Sequence, residues 1–390
     1  MSCNFDQIID RRNTDSAKWG AYEQEACEVG DVLPLWVADM DFRSPEPVIH
    51  ALQERVAHGV FGYGLPPDEL PEVIQERLAH LYDWHVEIED IYFVPGVVTG
   101  FNQVCHAVGA PGDEVLVEPP VYSPMLYAPG NADRLCKTVP LVEQNGWYEH
   151  DFDALERAAS AESASLFLFC SPHNPVGRVF ERDELERLAE ICLRHDVVIC
   201  SDEIHCDLVF PGHPHIPIAA LSPEIAAQTV TLFAPSKTYN VAGLACSVGV
   251  IQNPDLRERV QGVGVGLVAH VNVMGFTAAL AAYRHGDPWL SEALVYLEDN
   301  CDYLLDYLET YMPQIKCRKP EGTYLAWLDC REAGIPANPH EFFLERAGVA
   351  MNDGADFGEG GEDFVRLNFG CPRPTLTEAL ERMRAALAEI

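Results

Sequence analysis

The sequence predicts an α/β protein with a mostly parallel central sheet, followed by a smaller α+β domain. Short apolar runs without polar alternation predict strands that are covered on both faces. Four such runs are Glu114–Val117, Leu166–Cys170, Val197–Cys200 and Val230–Phe233. Between the second and the third, residues 181–196 place apolar side chains on one helical face. A strand, helix, strand order implies right-handed crossovers and therefore parallel pairing.

The pattern changes after residue 286. A long amphipathic helix is predicted from about Ser291 to Tyr311. Two alternating stretches, TYLAWLDC and FVRLNFG, predict strands with one covered face, and a last amphipathic helix follows them. We therefore expect an N-terminal segment over residues 1–46 that joins the small domain, a large domain over 47–286 and a small domain over 287–390.

Composition excludes several classes of partner. The 390 residues include 26 Lys plus Arg against 61 Asp plus Glu, and this formal charge of −35 repels nucleic acids and anionic lipid surfaces. Polar residues and glycines interrupt the most apolar long stretch, Val263–Ala282, so no membrane span is predicted. The 13 cysteines are odd in number and lack a C-x-x-C pair, which favours free thiols and a cytoplasmic location.

Polar groups follow each of the four predicted strands. The four following stretches are Glu118-Pro-Pro-Val-Tyr122, Ser171-Pro-His-Asn174, Ser201-Asp-Glu-Ile-His205 and Ala234-Pro-Ser-Lys237. Ligands of α/β sheets gather beyond the carboxyl ends of the strands. The aromatic ring of Tyr122, the amide of Asn174, the acid of Asp202 and the amine of Lys237 are therefore expected at one rim.

This combination suits pyridoxal phosphate. A desolvated Lys237 amine would form a Schiff base with the aldehyde, and a carboxylate would keep the pyridine nitrogen protonated. Tyr122 could stack on the ring, and Asn174 could donate to the ring hydroxyl. The phosphate needs backbone N–H groups at the start of a helix and a hydroxyl. Residues 95–100, with Val97 and Val98 at the helix start, and Ser236 beside the lysine could supply them.

A metal site is the alternative interpretation of one dense cluster. It comprises Asp202, Glu203, His205, Cys206, Asp207, His213 and His215. No H-x-x-x-H or C-x-x-C spacing occurs there, and an extended chain would point Asp202 and His205 to opposite faces. We therefore expect no metal.

The ordered set of motifs resembles a known family. Asn174-Pro-x-Gly177, Asp202, Ser236-Lys237 and Arg366-Leu-Asn-Phe resemble fold-type I pyridoxal-phosphate enzymes of aminotransferase class I/II. Within that class, residues 35–42 (LWVADMDF), 61–64 (FGYG), 201–205 (SDEIH) and 236–246 (SKTYNVAGLAC) resemble the MalY/PatB branch. That branch comprises cystathionine β-lyases and cysteine-S-conjugate β-lyases. The resemblance runs from about Leu33 to Gly370.

The resemblance implies roles for the residues at the rim. Lys237 corresponds to the Schiff-base lysine and catalytic base, and Asp202 to the partner of the pyridine nitrogen. Tyr122 corresponds to the stacking aromatic, with catalytic and substrate contacts. Asn174 corresponds to the donor to O3′. Arg366 corresponds to the clamp on the substrate α-carboxylate.

Four other positions also bear on the site. Tyr63 resembles the tyrosine that reaches the phosphate of the neighbouring subunit, which implies a homodimer with shared active sites. Asp39 lies in a stretch expected to be extended and to aim side chains into the cleft, so we expect it to contact substrate. His205 replaces the tyrosine of most class I relatives and is predicted to lie at the cofactor. Ala245 replaces a phosphate-binding arginine.

The implied activity is carbon–sulfur β-lysis. An amino acid with a Cβ–S bond would lose its α-proton and then a thiolate, and pyruvate and ammonia would follow. Two alternatives stay open at this point. The chain could be a class I/II aminotransferase, or a MalY-like protein that acts mainly by binding a transcription regulator.

Overall fold

A computed structural model describes residues 3–22 and 30–390 of the chain. Its strands, numbered in chain order, are β1 (Leu33–Pro34), β2 (Ile91–Val94), β3 (Glu114–Val117), β4 (Leu135–Thr138), β5 (Val142–Gln144), β6 (Trp147–Glu149), β7 (Ala164–Cys170), β8 (Val198–Asp202), β9 (Thr229–Phe233), β10 (Ser247–Val250), β11 (Leu325–Asp329), β12 (Val349–Ala350), β13 (Asn352–Asp353) and β14 (Phe364–Asn368). The α-helices in the same residues are Ala17–Gly20, Glu46–His58, Glu69–Tyr82, Val97–Ala107, Ser123–Asn131, Phe152–Ala159, Arg182–Arg194, Pro223–Ala227, Pro235–Thr238, Pro254–Gly264, Val273–His285, Asp287–Tyr311, Pro339–Phe342 and Arg373–Leu387.

The large sheet has the order β2-β10-β9-β8-β7-β3-β4. Strands β4, β3, β7, β8 and β9 pair in parallel, and β10 runs antiparallel to both of its neighbours. All four predicted strands are present. The prediction of a mostly parallel sheet is confirmed.

Helices cover both faces of this sheet. Helix Arg182–Arg194 connects β7 to β8, and its apolar face packs into a cluster with side chains of the sheet. Helix Val97–Ala107 packs on the opposite face. Gly100 allows its close approach, because a Cβ atom there would lie 3.0 Å from both methyl groups of Leu232 on β9. Burial on both faces explains why these strands lack polar alternation.

A smaller antiparallel sheet has the order β11-β14-β13. The prediction that its strands have one covered face is wrong, because every residue of β14 is buried. Val365 and Leu367 pack in the main core, while the opposite face is covered by the chain around residues 36–39. That covering segment is distant in sequence, so the local pattern could not reveal it.

The long helix begins at Asp287 rather than near Ser291. Pro288 fits its first turn, where the N–H that proline lacks would have no helical partner. Strand β1 pairs in parallel with β12, which joins the N-terminal segment to the C-terminal part of the chain. The domain boundaries at 46 and 286 stay predictions. Among the described residues, no helix is both long and apolar enough to cross a membrane.

Candidate active site

The carboxyl ends of the parallel strands open into one cavity of about 490 Å³. Tyr122, Asn174, Asp202 and Lys237 all line it, each at or after the carboxyl end of a different strand. The structure also brings together there other residues predicted to bind cofactor or substrate, namely Val97, Val98, His205, Ser236 and Arg366. The sequence-predicted convergence therefore exists as a single cavity, although the role of each residue stays a prediction.

A larger cavity, of about 850 Å³, lies between the β5–β6 hairpin and the end of helix Asp287–Tyr311. Its lining residues include neither Lys237 nor Asp202. Size therefore does not identify the site, and the concentration of reactive groups does.

Lys237 lies in the helical turn Pro235–Thr238, directly after β9. Its Nζ donates to the carbonyl oxygen of Ala38 at 2.6 Å. Burial lowers the pKa of the Lys237 amine to about 8, and the positive charge of Arg366 acts in the same direction. At pH 7 about a tenth of the amine is therefore unprotonated, far more than for an ordinary lysine, and this is the form that acts as nucleophile and base.

Asp202 ends β8 and is only 4% exposed. Its Oδ1 accepts a hydrogen bond from the backbone N–H of Ile204 at 3.1 Å, and it forms no ion pair with a described residue. Burial raises the pKa of the Asp202 carboxyl to about 7. A buried carboxyl without a cationic partner is suited to a ligand that brings a positive charge, as a protonated ring nitrogen does.

Arg366 is a buried cation without an anionic partner among the described residues, the reverse of Asp202. The residue is 4% exposed, and its Nη atoms donate to Asn174 Oδ1 at 2.9 Å, to the Trp36 carbonyl at 2.8 Å and to Asn352 Oδ1 at 2.6 Å. All three acceptors are neutral, and Nε has no partner in the described part of the chain. Burial lowers the pKa of the guanidinium to about 10. A buried guanidinium without a counter-ion suits a ligand carboxylate.

His205 and Tyr122 complete the walls around these charges. His205 is buried, its ring lies edge-on to Tyr324 at 6.0 Å between centroids, and burial lowers its pKa to about 3. The imidazole is therefore neutral at physiological pH. Tyr122 precedes helix Ser123–Asn131, and burial raises the pKa of its hydroxyl. It therefore keeps its proton at neutral pH and remains an uncharged aromatic wall.

One end of the cavity is suited to a phosphate. Helix Val97–Ala107 begins there, after Gly96 with a φ of 129°, a conformation that favours glycine. Free N–H groups of a first helical turn attract anions. Ser236 and Ser247 add hydroxyls, whereas Ala245 contributes no charge. A phosphate would thus be held here mainly by N–H groups and hydroxyls.

Two predicted residues do not line the cavity. The prediction of an extended stretch at Asp39 is wrong, because the chain bends at residues 37–39. The bend turns the Ala38 carbonyl toward Lys237 and directs the Asp39 carboxylate to Arg11, whose Nη2 lies 2.6 Å from Oδ2. The geometry thus gives no support to substrate contact by Asp39. Tyr63 is fully exposed and outside its own chain's cavity.

Sequence reasoning missed several residues at the site. Asn352 lines the cavity and holds Arg366, the residue it pairs with between β13 and β14. Tyr324 donates its hydroxyl to the Ala38 carbonyl at 2.9 Å. Trp36 contributes a carbonyl to Arg366. These contacts join segments distant in sequence, and no local pattern signals them.

The cluster considered as a metal site has other partners. Glu203 accepts from Ser201 and contacts the His215 ring, both at 2.8 Å, and Asp207 pairs with Arg77 at 2.7 Å. Among the described residues, no three His, Cys, Asp or Glu side chains form a group suited to a metal ion.

The comparisons with known proteins agree with this geometry. Residues 30–383 match the family of class I and II aminotransferases, and the chain belongs to that family of fold-type I pyridoxal-phosphate enzymes. It groups with the MalY/PatB branch. It is 42% identical to cystathionine β-lyase PatB of Bacillus subtilis, over 99% of this chain and 100% of PatB. It is 32% identical to the protein MalY of Escherichia coli, over 99% of each chain. Cystalysin of Treponema denticola, whose crystal structure contains pyridoxal 5′-phosphate, is 34% identical and superposes with a TM-score of 0.97 over the whole of both chains.

Proposed function

We propose that this chain is a pyridoxal-phosphate-dependent carbon–sulfur β-lyase. One observation carries the proposal: a single cavity holds a buried Arg366 without a counter-ion, a buried Asp202 without a cation and Lys237 with a lowered pKa. An amino acid bound to pyridoxal phosphate supplies the missing partners, since it brings a carboxylate, a protonated ring nitrogen and an electrophilic carbon.

The described residues fit this cofactor. Lys237 would hold its aldehyde carbon, and Asp202 would face its ring nitrogen. The amide nitrogen of Asn174 is available for the ring hydroxyl, because its Oδ1 already accepts from Arg366. The first turn of helix Val97–Ala107 and the hydroxyl of Ser236 would hold the phosphate. When bound, the cofactor stabilises negative charge that develops at the substrate Cα.

The chain's own residues supply orientation and proton transfer. Arg366 binds the α-carboxylate and thereby fixes the Cα–H bond relative to Lys237. The unprotonated Lys237 amine takes the α-proton, and the substituent on Cβ leaves as a thiolate. In sum, cystathionine and water would give homocysteine, pyruvate and ammonia. An amino acid with a Cβ–S bond is therefore the proposed substrate.

We also propose a homodimer in which Tyr63 completes the partner's site. Large apolar side chains are exposed on both sides of Tyr63, and Phe61 and Leu65 are 58% and 87% exposed. Val265 and Leu267 are also exposed, at 83% and 78%. Such surfaces are typical of interfaces. The described cysteines are all free thiols, which supports the cytoplasm as the proposed location.

The test is to incubate the purified holoenzyme with cystathionine in the absence of any keto acid. A lyase releases pyruvate, ammonia and homocysteine in equal amounts over many turnovers, and its visible absorbance returns to the starting spectrum. An aminotransferase would instead convert its cofactor to the pyridoxamine form and stop until a keto acid is added. Accumulation of that form without pyruvate, with cystathionine and with several cysteine S-conjugates, would contradict the lyase proposal.

A further inference from the structure

The bend at residues 36–41 is held from two sides. On the cavity side its backbone carbonyls accept hydrogen bonds from the charged groups of the site. Arg366 donates to Trp36 at 2.8 Å, and Lys237 donates to Ala38 at 2.6 Å. The positions of both side chains therefore depend on where this stretch of backbone lies.

The opposite side of the bend carries two carboxylates. Arg11 binds both oxygens of Asp39, at 3.0 and 2.6 Å, and reaches Asp41 at 2.7 Å. Lys18, whose side chain is completely buried, pairs with Asp41 at 2.7 Å. Although burial raises the pKa of Asp41, the charges and hydrogen bonds of Lys18 and Arg11 hold it below its usual value. The N-terminal segment thus binds the bend through charged pairs.

These two sets of contacts differ in strength. Removing one partner of a buried ion pair is strongly destabilising, and less so for Arg11 and Asp39, which keep some exposure. A hydrogen bond from a charged donor to a backbone carbonyl, as Arg366 and Lys237 make here, contributes less than a buried ion pair. The ion pairs on the outer side therefore hold the bend more strongly than the two contacts from the cavity do. Tyr324 and Asn368 add neutral hydrogen bonds to the carbonyls of the bend.

We propose that Arg11 is a positioning residue for the reaction. Through Asp39 it fixes the Ala38 carbonyl, and this carbonyl holds the Lys237 amine where it takes the substrate proton. Arg11 itself does not line the cavity. The inference rests on the proposed function, because it assumes that Lys237 is the base.

Arg12 provides a matched control. It is the neighbouring arginine, its side chain is 58% exposed, and it pairs with Asp10 at 2.9 Å on the surface. We expect Arg11→Ala to lower kcat by about 10- to 100-fold, since small misplacements of a reacting group have effects of this size. KM should change by less than about 3-fold, because Asn174 and Asn352, which lie outside the bend, still hold Arg366. Arg12→Ala should change neither constant.

A deuterium isotope effect separates positioning from loss of folded protein. With substrate deuterated at Cα, the isotope effect on kcat should increase in Arg11→Ala, because proton transfer from Cα becomes slower than the other steps. A smaller folded fraction would lower the apparent kcat and leave the isotope effect unchanged. Arg11→Lys retains the charge but loses the two-pronged contact, so it should recover part of the lost rate.

The visible absorbance of the holoenzyme gives a readout that needs no turnover. The charged groups acting on Lys237 are Arg366, Asp39 and Asp202, and only the environment of Asp39 is altered here. Arg11→Ala leaves the Asp39 carboxylate with Lys18, at 3.5 Å, as its one remaining ion-pair partner among the described residues, so more of its negative charge acts on Lys237. This favours the protonated, cationic form of the group that Lys237 makes with the cofactor. The midpoint of the pH titration should therefore rise. Asp39→Asn removes the negative charge and leaves Arg11, so the midpoint should fall.

The outcomes are distinguishable. If kcat, the isotope effect and the titration midpoint of Arg11→Ala all match those of Arg12→Ala, the positioning role is wrong. If Arg11→Ala does not fold, the titration of Asp39→Asn decides, and an unchanged midpoint contradicts the proposal. A wild-type holoenzyme that shows the visible band but releases no pyruvate contradicts the proposed function instead, and the two titrations still decide the role of Arg11.

Discussion

Arg366 donates a hydrogen bond from Nη1 to Oδ1 of Asn174 at 2.9 Å. This contact joins the small antiparallel sheet to the end of β7 in the large sheet. It also sets the orientation of both groups, because the amide oxygen is occupied and the amide nitrogen can face the cofactor. The proposed carboxylate clamp and the proposed donor to the ring hydroxyl are therefore one hydrogen-bonded unit.

Arg366→Lys should lower kcat/KM by about 10- to 100-fold, because an ammonium keeps the charge but cannot bind a carboxylate with two parallel hydrogen bonds. Steady-state release of pyruvate measures this effect, and the affinity for the cofactor should change little. Arg331→Lys, a substitution beside the larger cavity, is the control and should behave as wild type. Equal kcat/KM for the two variants would show that Arg366 does not bind the substrate.

Lys237→Ala should reduce turnover by at least about 10³-fold, since the same side chain is proposed to hold the cofactor and to move the proton. The variant should still bind pyridoxal phosphate, but borohydride should no longer attach it to the protein. Mass spectrometry of the treated protein measures the attachment. Lys137→Ala, on the exposed edge strand β4, should keep both properties. Labelling of the Lys237→Ala chain at another lysine would contradict the assignment.

The rate at which cofactor-free protein captures pyridoxal phosphate should rise as pH increases through about 8, the lowered pKa of Lys237. Below that pH the amine is protonated and does not attack the aldehyde, and above it the neutral form dominates. Stopped-flow absorbance measures the rate. A midpoint near 10.5, the ordinary pKa of a lysine, would show that the amine is not desolvated.

Asp202→Asn should change how the stability of cofactor-free protein depends on pH. Burial raises the pKa of Asp202 from 3.8 to about 7, so its contribution to stability is full below pH 3.8 and is lost as pH rises through 7. Between these values the wild type loses up to about 1.4 kcal/mol per pH unit from this group. The asparagine variant lacks this loss. Its free energy of unfolding in urea, relative to that of the wild type, should therefore increase from pH 4 to pH 7. A constant difference would contradict the raised pKa.

Tyr63→Ala should be rescued by a chain that is defective in another residue of the site. If each site combines Lys237 of one chain with Tyr63 of its partner, a hybrid of Tyr63→Ala and Lys237→Ala contains one intact site. Co-expressed variants should therefore release pyruvate much faster than either variant alone. An additive result in confirmed hybrids would show that the two residues serve the same chain or that Tyr63 has no role.

The sequence was most informative where a feature depends on neighbouring residues. The strands β3, β7, β8 and β9 were predictable because burial on both faces removes polar alternation, and their order implies parallel pairing. Because the carboxyl ends of parallel strands lie at one edge of the sheet, the groups that follow these strands could also be placed at one rim. The start of the helix at Asp287 does not follow from the local pattern, since proline is compatible with both a first helical turn and the preceding loop.

The sequence by itself determined the fold class, the cluster of reactive groups and the family, because these follow from local periodicity and ordered motifs. Only the tertiary structure determined which charged side chains have a partner of opposite charge within the protein. Asp39 and Arg366 both lie in alternating stretches, yet one is neutralised by Arg11 and the other meets only neutral acceptors. The difference depends on which distant segments pack against each side chain, and long-range packing of this kind leaves no periodic trace in the chain.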